Sequence, residues 1–173
     1  MKYAREFMLP LVGLPLGETR YTFALERPFF ELHADEEVLD AQLKVDLLLA
    51  KRDNMIELRF SIKGWMAVDC DRCGDNFRQE VEGEQELILK YGQHYEEESD
   101  EVLTIPVDLH EFDISHLLYE YTILLLPYRK IHPDNADGSS TCNPEVLKRL
   151  EQMRKEEASD PRWEALQKLR NLS

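Results

Sequence analysis

Cysteine and positive charge are both scarce in this chain. Its three cysteines are an odd number, a poor basis for a disulfide framework, and point to the reducing cytosol. Long apolar runs are absent as well. No stretch approaches the roughly 20 apolar residues that cross a bilayer as a helix, so no membrane partner is expected. Residues 8–16 are apolar, but Pro10, Gly13 and Pro15 break them and no Ala-x-Ala cleavage pattern follows. They read as a segment packed across a sheet edge, not as a signal peptide. No glycine-rich phosphate loop and no Ser-His-Asp order is found, and no two carboxylates can be placed together in a cleft. The expectation is a protein that is not an enzyme and takes no small-molecule substrate.

The shortage of positive charge is pronounced: 21 Lys and Arg stand against 35 Asp and Glu, a net charge of −14. Such a surface repels a phosphate backbone and suits a basic protein partner. The charge is uneven. Residues 143–173 hold seven Lys and Arg against six Asp and Glu, which leaves −15 on residues 1–142. Direct RNA binding is therefore disfavoured, with Arg149, Arg154, Lys155 and Arg170 as the residues that keep it open.

What is present in abundance is alternation. Ala41, Leu43, Val45, Leu47 and Leu49 recur at every second residue with Gln42, Lys44 and Asp46 between them, the pattern of a half-buried strand. Residues 51–54 carry turn chemistry. Ile56, Leu58, Phe60 and Ile62 then alternate with charged and polar residues, Gly64 marks a candidate bulge, and the strand continues to Val68. Residues 77–91 alternate again. Residues 21–25 form an earlier candidate strand stopped by Pro28, residues 95–101 read as a charged loop, and residues 102–107 as a short strand. Asp113 reads as an N-cap, followed by Ile114, Leu117, Leu118, Tyr121 and Leu125 at helical spacing up to Pro127. The predicted fold class is α+β: an antiparallel meander over roughly residues 21–107, covered by one apolar helix. Asn143-Pro144-Glu145 starts a second helix. Asp160-Pro161 starts a last one, with Trp163, Leu166 and Leu169 on one face. The expected division is an acidic α+β body, residues 1–142, and a helical C-terminal tail, residues 143–173, able to dock on a partner.

Between the two longest strands lies the one Cys-x-x-Cys of the chain, Cys70-Asp71-Arg72-Cys73-Gly74. A hairpin tip of this kind presents two sulfurs to one side and is half of a tetrahedral zinc site. The other half must come from elsewhere. Cys142 is the third cysteine, and His132 precedes it in the polar loop after Pro127. The metal-ligand candidates are therefore Cys70, Cys73, His132 and Cys142, holding a structural zinc that ties the hairpin tip to a loop distant in sequence. Blander readings stand beside this one: a bare structural turn at Cys70 and Cys73, an exposed loop histidine at His132, a buried cysteine at Cys142. A redox reading of Cys70 and Cys73 is the alternative function. It needs a helix N-terminus to lower the first thiol's pKa, where a hairpin is expected, and Asp71 disfavours the thiolate. His33, His94, His110 and His116 are scattered and read as structural or surface residues.

These residues resemble a known family. Cys70-Asp71-Arg72-Cys73-Gly74 followed by Phe77 is similar to the Cys-x-Arg-Cys signature of the YceD family, whose members are named for accumulation of large-subunit ribosomal RNA. Asp113-Ile114, Glu120 and Leu124-Leu125-Leu126-Pro127 resemble the family's acidic helix ending in Leu-Pro. His132 and Cys142 fall where many members carry a His and a Cys. Asp160-Pro161-Arg162-Trp163 with Leu166 and Leu169 resembles its C-terminal Asp-Pro-Arg helix. Some members carry further cysteines in the loop after Leu-Pro, where this chain has Cys142 alone, so the fourth ligand rests on His132. The resemblance implies a non-enzymatic role in ribosomal RNA accumulation and large-subunit assembly, and the cysteine count places it in the cytoplasm. Charge then points to a ribosomal protein or the pre-ribosomal large subunit as partner.

Overall fold

The period-two segments become a six-stranded sheet. The computed structural model describes residues 5–156. Its main strands are β2 (Gly17–Glu26), β3 (Asp40–Lys51), β4 (Met55–Asp69) and β5 (Asn76–Gly92), following a short β1 (Met8–Pro10). Each main strand pairs antiparallel with the next, in unbroken register from Gly17↔Lys51 through Leu47↔Phe60 to Asp69↔Asn76. Two more strands extend the far side, β6 (Glu96–Ser99) and β7 (Val102–Pro106), giving the order β2-β3-β4-β5-β7-β6. The β5–β7 pair is parallel and the rest are antiparallel. β8 (Glu111–Asp113) pairs with β1 in a separate two-stranded sheet. The helices are α1 (Arg27–Leu32), α2 (Ser115–Leu124) and α3 (Pro144–Glu156). The fold is α+β, as the alternation predicts.

Within the described residues the chain divides into two compact units. One holds residues 5–69 and 76–130, the other residues 70–75 and 131–156. The first has an ordinary apolar core. On the inward face of β3 and β4, Val45, Leu49, Ile56, Leu58, Phe60 and Ile62 are at most 1% exposed. Phe7, Phe29 and Phe30 join the same cluster, as do Ile114 and Leu118 at and within α2. Aromatic edges set the packing: Phe29 meets Phe30 at 5.3 Å and Phe60 meets Tyr121 of α2 at 5.4 Å. Burying each such side chain contributes about 1.5–3 kcal/mol, and this dominates the unit's stability.

The structure departs from the sequence reading in several places, among them the parallel β5–β7 pair where an antiparallel meander was expected. β2 begins at Gly17, not Tyr21, because backbone pairing with β3 carries it through Glu18 and Arg20, where no apolar alternation shows. Residues 96–99, expected as loop, form β6. Pairing with β7 needs no apolar side chain, and Glu98 is fixed there by Lys90 at 2.7 Å and the Thr104 hydroxyl at 2.6 Å. Pro28 opens α1 instead of merely ending a strand, since proline fits a helix's first turn. Asp113 closes β8, and its carboxylate accepts the Ser115 N–H at 2.8 Å just ahead of α2. Gly64 is no bulge: it sits in unbroken register opposite Leu43 with φ +150°, and a Cβ there would collide with the Gln42 carbonyl oxygen.

Candidate metal centre

The Cys-x-x-Cys stretch folds as a tight turn because its backbone closes on itself. Cys70 N–H donates to the Asp75 carbonyl at 3.0 Å, and Gly74 N–H to the Cys70 carbonyl at 2.9 Å. Gly74 takes φ +78°, a left-handed conformation that glycine adopts at no steric cost. The Arg72 N–H points at the Cys70 sulfur, 3.4 Å away. This leaves both thiols on one side of the turn.

The second pair of residues is brought together by a closed polar loop. The Thr141 hydroxyl donates to the Pro133 carbonyl at 2.6 Å, drawing the ends of residues 133–141 together. Within it, Asn135 N–H reaches Ser139 O at 2.8 Å and Gly138 N–H reaches Asn135 O at 2.9 Å. His132 and Cys142 thus flank one closed loop. Beyond Cys142, the Asn143 side-chain oxygen accepts the Glu145 N–H at 3.0 Å and caps α3, with Pro144 at the first helical position. The Asn143 amide also donates to Asp75 at 3.1 Å, and Arg72 donates to the Ser140 hydroxyl at 3.4 Å. These last two contacts join the turn to the loop. The sequence reading missed them, because polar residues in two loops carry no periodicity to pair them.

All four predicted ligands meet. Their donor atoms lie within 4.8 Å of one another. Cys70 Sγ is 3.8 Å from Cys142 Sγ, and His132 Nδ1 is 3.6 Å from Cys73 Sγ and 3.8 Å from Cys142 Sγ. A tetrahedral ion with metal–sulfur bonds of about 2.3 Å holds its sulfurs about 3.8 Å apart, and a nitrogen ligand sits slightly closer to them. These three edges, of the six among the four donors, match that figure. A disulfide needs sulfurs at about 2.05 Å, and all three cysteines are free. The sulfurs are buried, with Cys70 and Cys142 3% exposed and Cys73 9%, while His132 is half-buried.

Electrostatics agree with a cation. Burial is the largest influence on the Cys70 thiol and pushes its pKa up. It is outweighed by hydrogen bonds from the backbone N–H groups of His132, Arg72 and Cys73 and from the His132 ring, and the pKa falls to about 6. Asp71, weighed against a thiolate in the sequence, does not decide the matter. Cys142 goes the other way. The Ser140 hydroxyl lowers its pKa, but burial and the neighbouring Cys70 and Cys73 sulfurs together raise it. For Cys142 to join Cys70 as a second thiolate, a positive charge is needed between them, and a soft divalent cation would supply it. The donor set therefore fits a metal.

Other sequence candidates are placed as follows. His33 stacks on Tyr119 at 4.5 Å, with His116 6.1 Å away. Trp163, Leu166 and Leu169 lie outside the described residues. No helix among the described residues is long and apolar enough to cross a membrane.

No curated protein and no solved structure matches the chain. A family model described as large ribosomal RNA subunit accumulation protein YceD does, over residues 58–170. That span takes in most of β4, the turn with Cys70 and Cys73, α2, His132, Cys142 and α3, and the chain belongs to the YceD family of large ribosomal RNA subunit accumulation proteins.

Proposed function

We propose that this protein acts in large-subunit ribosomal RNA accumulation as a non-catalytic cytoplasmic assembly factor. It holds a basic ribosomal protein through its acidic sheet unit, and one zinc ion bound by Cys70, Cys73, His132 and Cys142 fixes its second unit. Family membership supports the process, and charge supports the choice of component. Residues 70–75 and 131–173 hold eight Lys and Arg against ten Asp and Glu, which leaves −12 of the −14 on residues 1–69 and 76–130. That field speeds encounter with a basic protein and suppresses contact with bare phosphate. The four-ligand cluster, with all donor atoms within 4.8 Å and three of its six edges at 3.6–3.8 Å, is the observation that carries the zinc assignment.

The zinc has a structural role here: four protein ligands leave no open coordination position for chemistry. The C-terminal tail, residues 143–173, is proposed as a docking arm whose Trp163 adds an apolar anchor. The test is co-purification of the tagged full chain from cells, followed by mass spectrometry and metal analysis. The expected result is one zinc per chain and a basic large-subunit protein, released as salt screens exposed charges beyond about 8 Å and bound more weakly by Trp163→Ala. Recovery of ribosomal RNA with no ribosomal protein would overturn the mechanism. Normal large-subunit RNA in cells lacking the protein would overturn the process.

A second reading, thiol redox chemistry at Cys70 and Cys73, draws on the lowered pKa of Cys70. It requires a thiolate that reacts with alkylating reagents at neutral pH in protein as purified. A zinc-bound Cys70 does not react until a chelator is added.

A further inference from the structure

β5 is paired unequally along its two edges. On one side β4 covers it from Asn76 to Lys90. On the other, β7 pairs only from Ile88 to Gly92. Among the described residues, no strand pairs with that second edge over residues 76–87. The groups it offers can be identified. Ile88 N–H donates across this edge to the Glu101 carbonyl at 2.8 Å, and the register along β5 has no bulge. By the two-residue period, the N–H and C=O groups of Glu80, Glu82, Glu84 and Glu86 point to the same side. The Gln79 side chain already donates to the Glu80 carbonyl at 2.9 Å, as an outward-facing carbonyl allows.

The same four residues carry their carboxylates on one exposed face of the sheet. Lys63 holds Glu82 at 3.1 Å and Arg59 holds Glu86 at 3.1 Å. Among the described residues Glu80 and Glu84 form no ion pair. The open edge is thus a ladder of backbone groups with no strand partner, in step with a ladder of glutamates. Like charges at every second position oppose pairing with the same edge of another copy. They favour an added strand whose outward side chains are basic. Along the inward side of this stretch lie Val81, Gln85 and Gly83, and a Cβ on Gly83 would meet the Leu125 side chain. The inward residues of an added strand must therefore be small or apolar.

We propose that the free edge of β5 captures an extended segment of a basic protein, with Lys or Arg at alternate positions, as an added β-strand. This rests on the reading that the acidic unit holds a basic partner, and it names the place and the conformation. Nucleic acid has no place here, since its phosphates meet the glutamates.

The probe is a ten-residue peptide alternating Lys and Thr, bound to the zinc-loaded full chain and followed by fluorescence anisotropy and amide hydrogen exchange. The expected result has two parts. The peptide binds on the order of tenfold tighter than an isomer with its lysines grouped in one half and than its fully N-methylated form. It also slows exchange of the Glu82, Glu84 and Glu86 amides. Glu84→Pro, which removes one edge N–H at a site where proline is tolerated, loses most of this binding, whereas Glu84→Gln loses only part. Should Glu84→Pro fail to fold, the exchange pattern of the unmodified chain decides. Equal binding of all three peptides with no protected amides overturns the strand-addition proposal but leaves the acidic-unit reading intact. No binding by any of them overturns it too, and co-purification of the natural partner then judges the broader reading separately.

Discussion

The two units of this protein are held by different physics. In the sheet unit, rows of Leu, Ile, Val and Phe are sealed from water along every main strand. In the second unit, the described residues bury three side chains, and all three are cysteines: Cys70, Cys73 and Cys142. Ile131, His132, Val146 and Leu147 are half-buried, and Leu150 and Met153 of α3 are exposed. Ordering a residue costs about 1–2 kcal/mol of backbone entropy, so a few half-buried aliphatics at about 25 cal/mol per Å² cannot offset a segment of this length. A bound zinc contributes about 10–16 kcal/mol in small metal-folded domains. On the proposed zinc reading, one chain solves folding twice, with apolar area where strands supply it and with a metal where they do not.

The hardest way to break that comparison is to remove the metal. Chelation, or Cys142→Ser, is expected to release the zinc and unfold α3, a loss on the scale of about 10 kcal/mol of binding free energy. The cooperative unfolding of the sheet should persist. Circular dichroism at the helix minimum, read beside the sheet's denaturant midpoint, separates the two. An α3 signal unchanged in metal-free protein would mean that the second unit does not depend on the ion.

The converse cut is Phe60→Ala. Phe60 is 1% exposed and meets Tyr121 at 5.4 Å, so truncation leaves a cavity costing about 3–5 kcal/mol. The sheet's unfolding midpoint should fall while native protein keeps its full zinc content. Equal loss of zinc would show that the two units do not stand on separate supports. A smaller effect of the same kind comes from Gly64→Ala. Its φ of +150° and the Gln42 carbonyl oxygen leave no room for a Cβ, and the strain costs roughly 1–3 kcal/mol, again read in the sheet transition with zinc unchanged.

The same contrast explains what could be read from the sequence. Alternation in residues 41–62 names strands because burial on one face demands it, so the α+β fold was legible there. Where burial does not demand it, the pattern is silent: β6 is four exposed residues, Glu96 to Ser99, held by backbone pairing and by the contacts of Glu98 to Lys90 and Thr104. The parallel β5–β7 pair was hidden for a related reason, since strand direction leaves no mark on a five-residue apolar run. The metal candidates were legible for chemical reasons. Few side chains bind soft metals, and the chain has only three cysteines. The contacts that set their spacing, Arg72 to Ser140 and Asn143 to Asp75, join polar side chains 68 residues apart, and no local rule pairs those.

Asn143 gives the finest test of how far the metal alone sustains the second unit. Its side chain does two things: the oxygen caps α3 by accepting the Glu145 N–H at 3.0 Å, and the nitrogen donates to Asp75 at 3.1 Å. Asn143→Ala removes both, and loss of an N-cap costs about 1 kcal/mol. Asn143→Asp keeps the capping oxygen but sets a carboxylate against that of Asp75. If the cap dominates, Asp restores α3's helicity and Ala does not. If the contact to Asp75 matters more, both variants release zinc faster to a competing chelator, because that contact braces the turn holding Cys70 and Cys73 against the segment holding Cys142. We expect the second outcome, with a several-fold faster release in both variants and little change in total zinc bound at equilibrium. A release rate identical to that of the unmodified chain would assign the whole of the second unit's order to the four ligands.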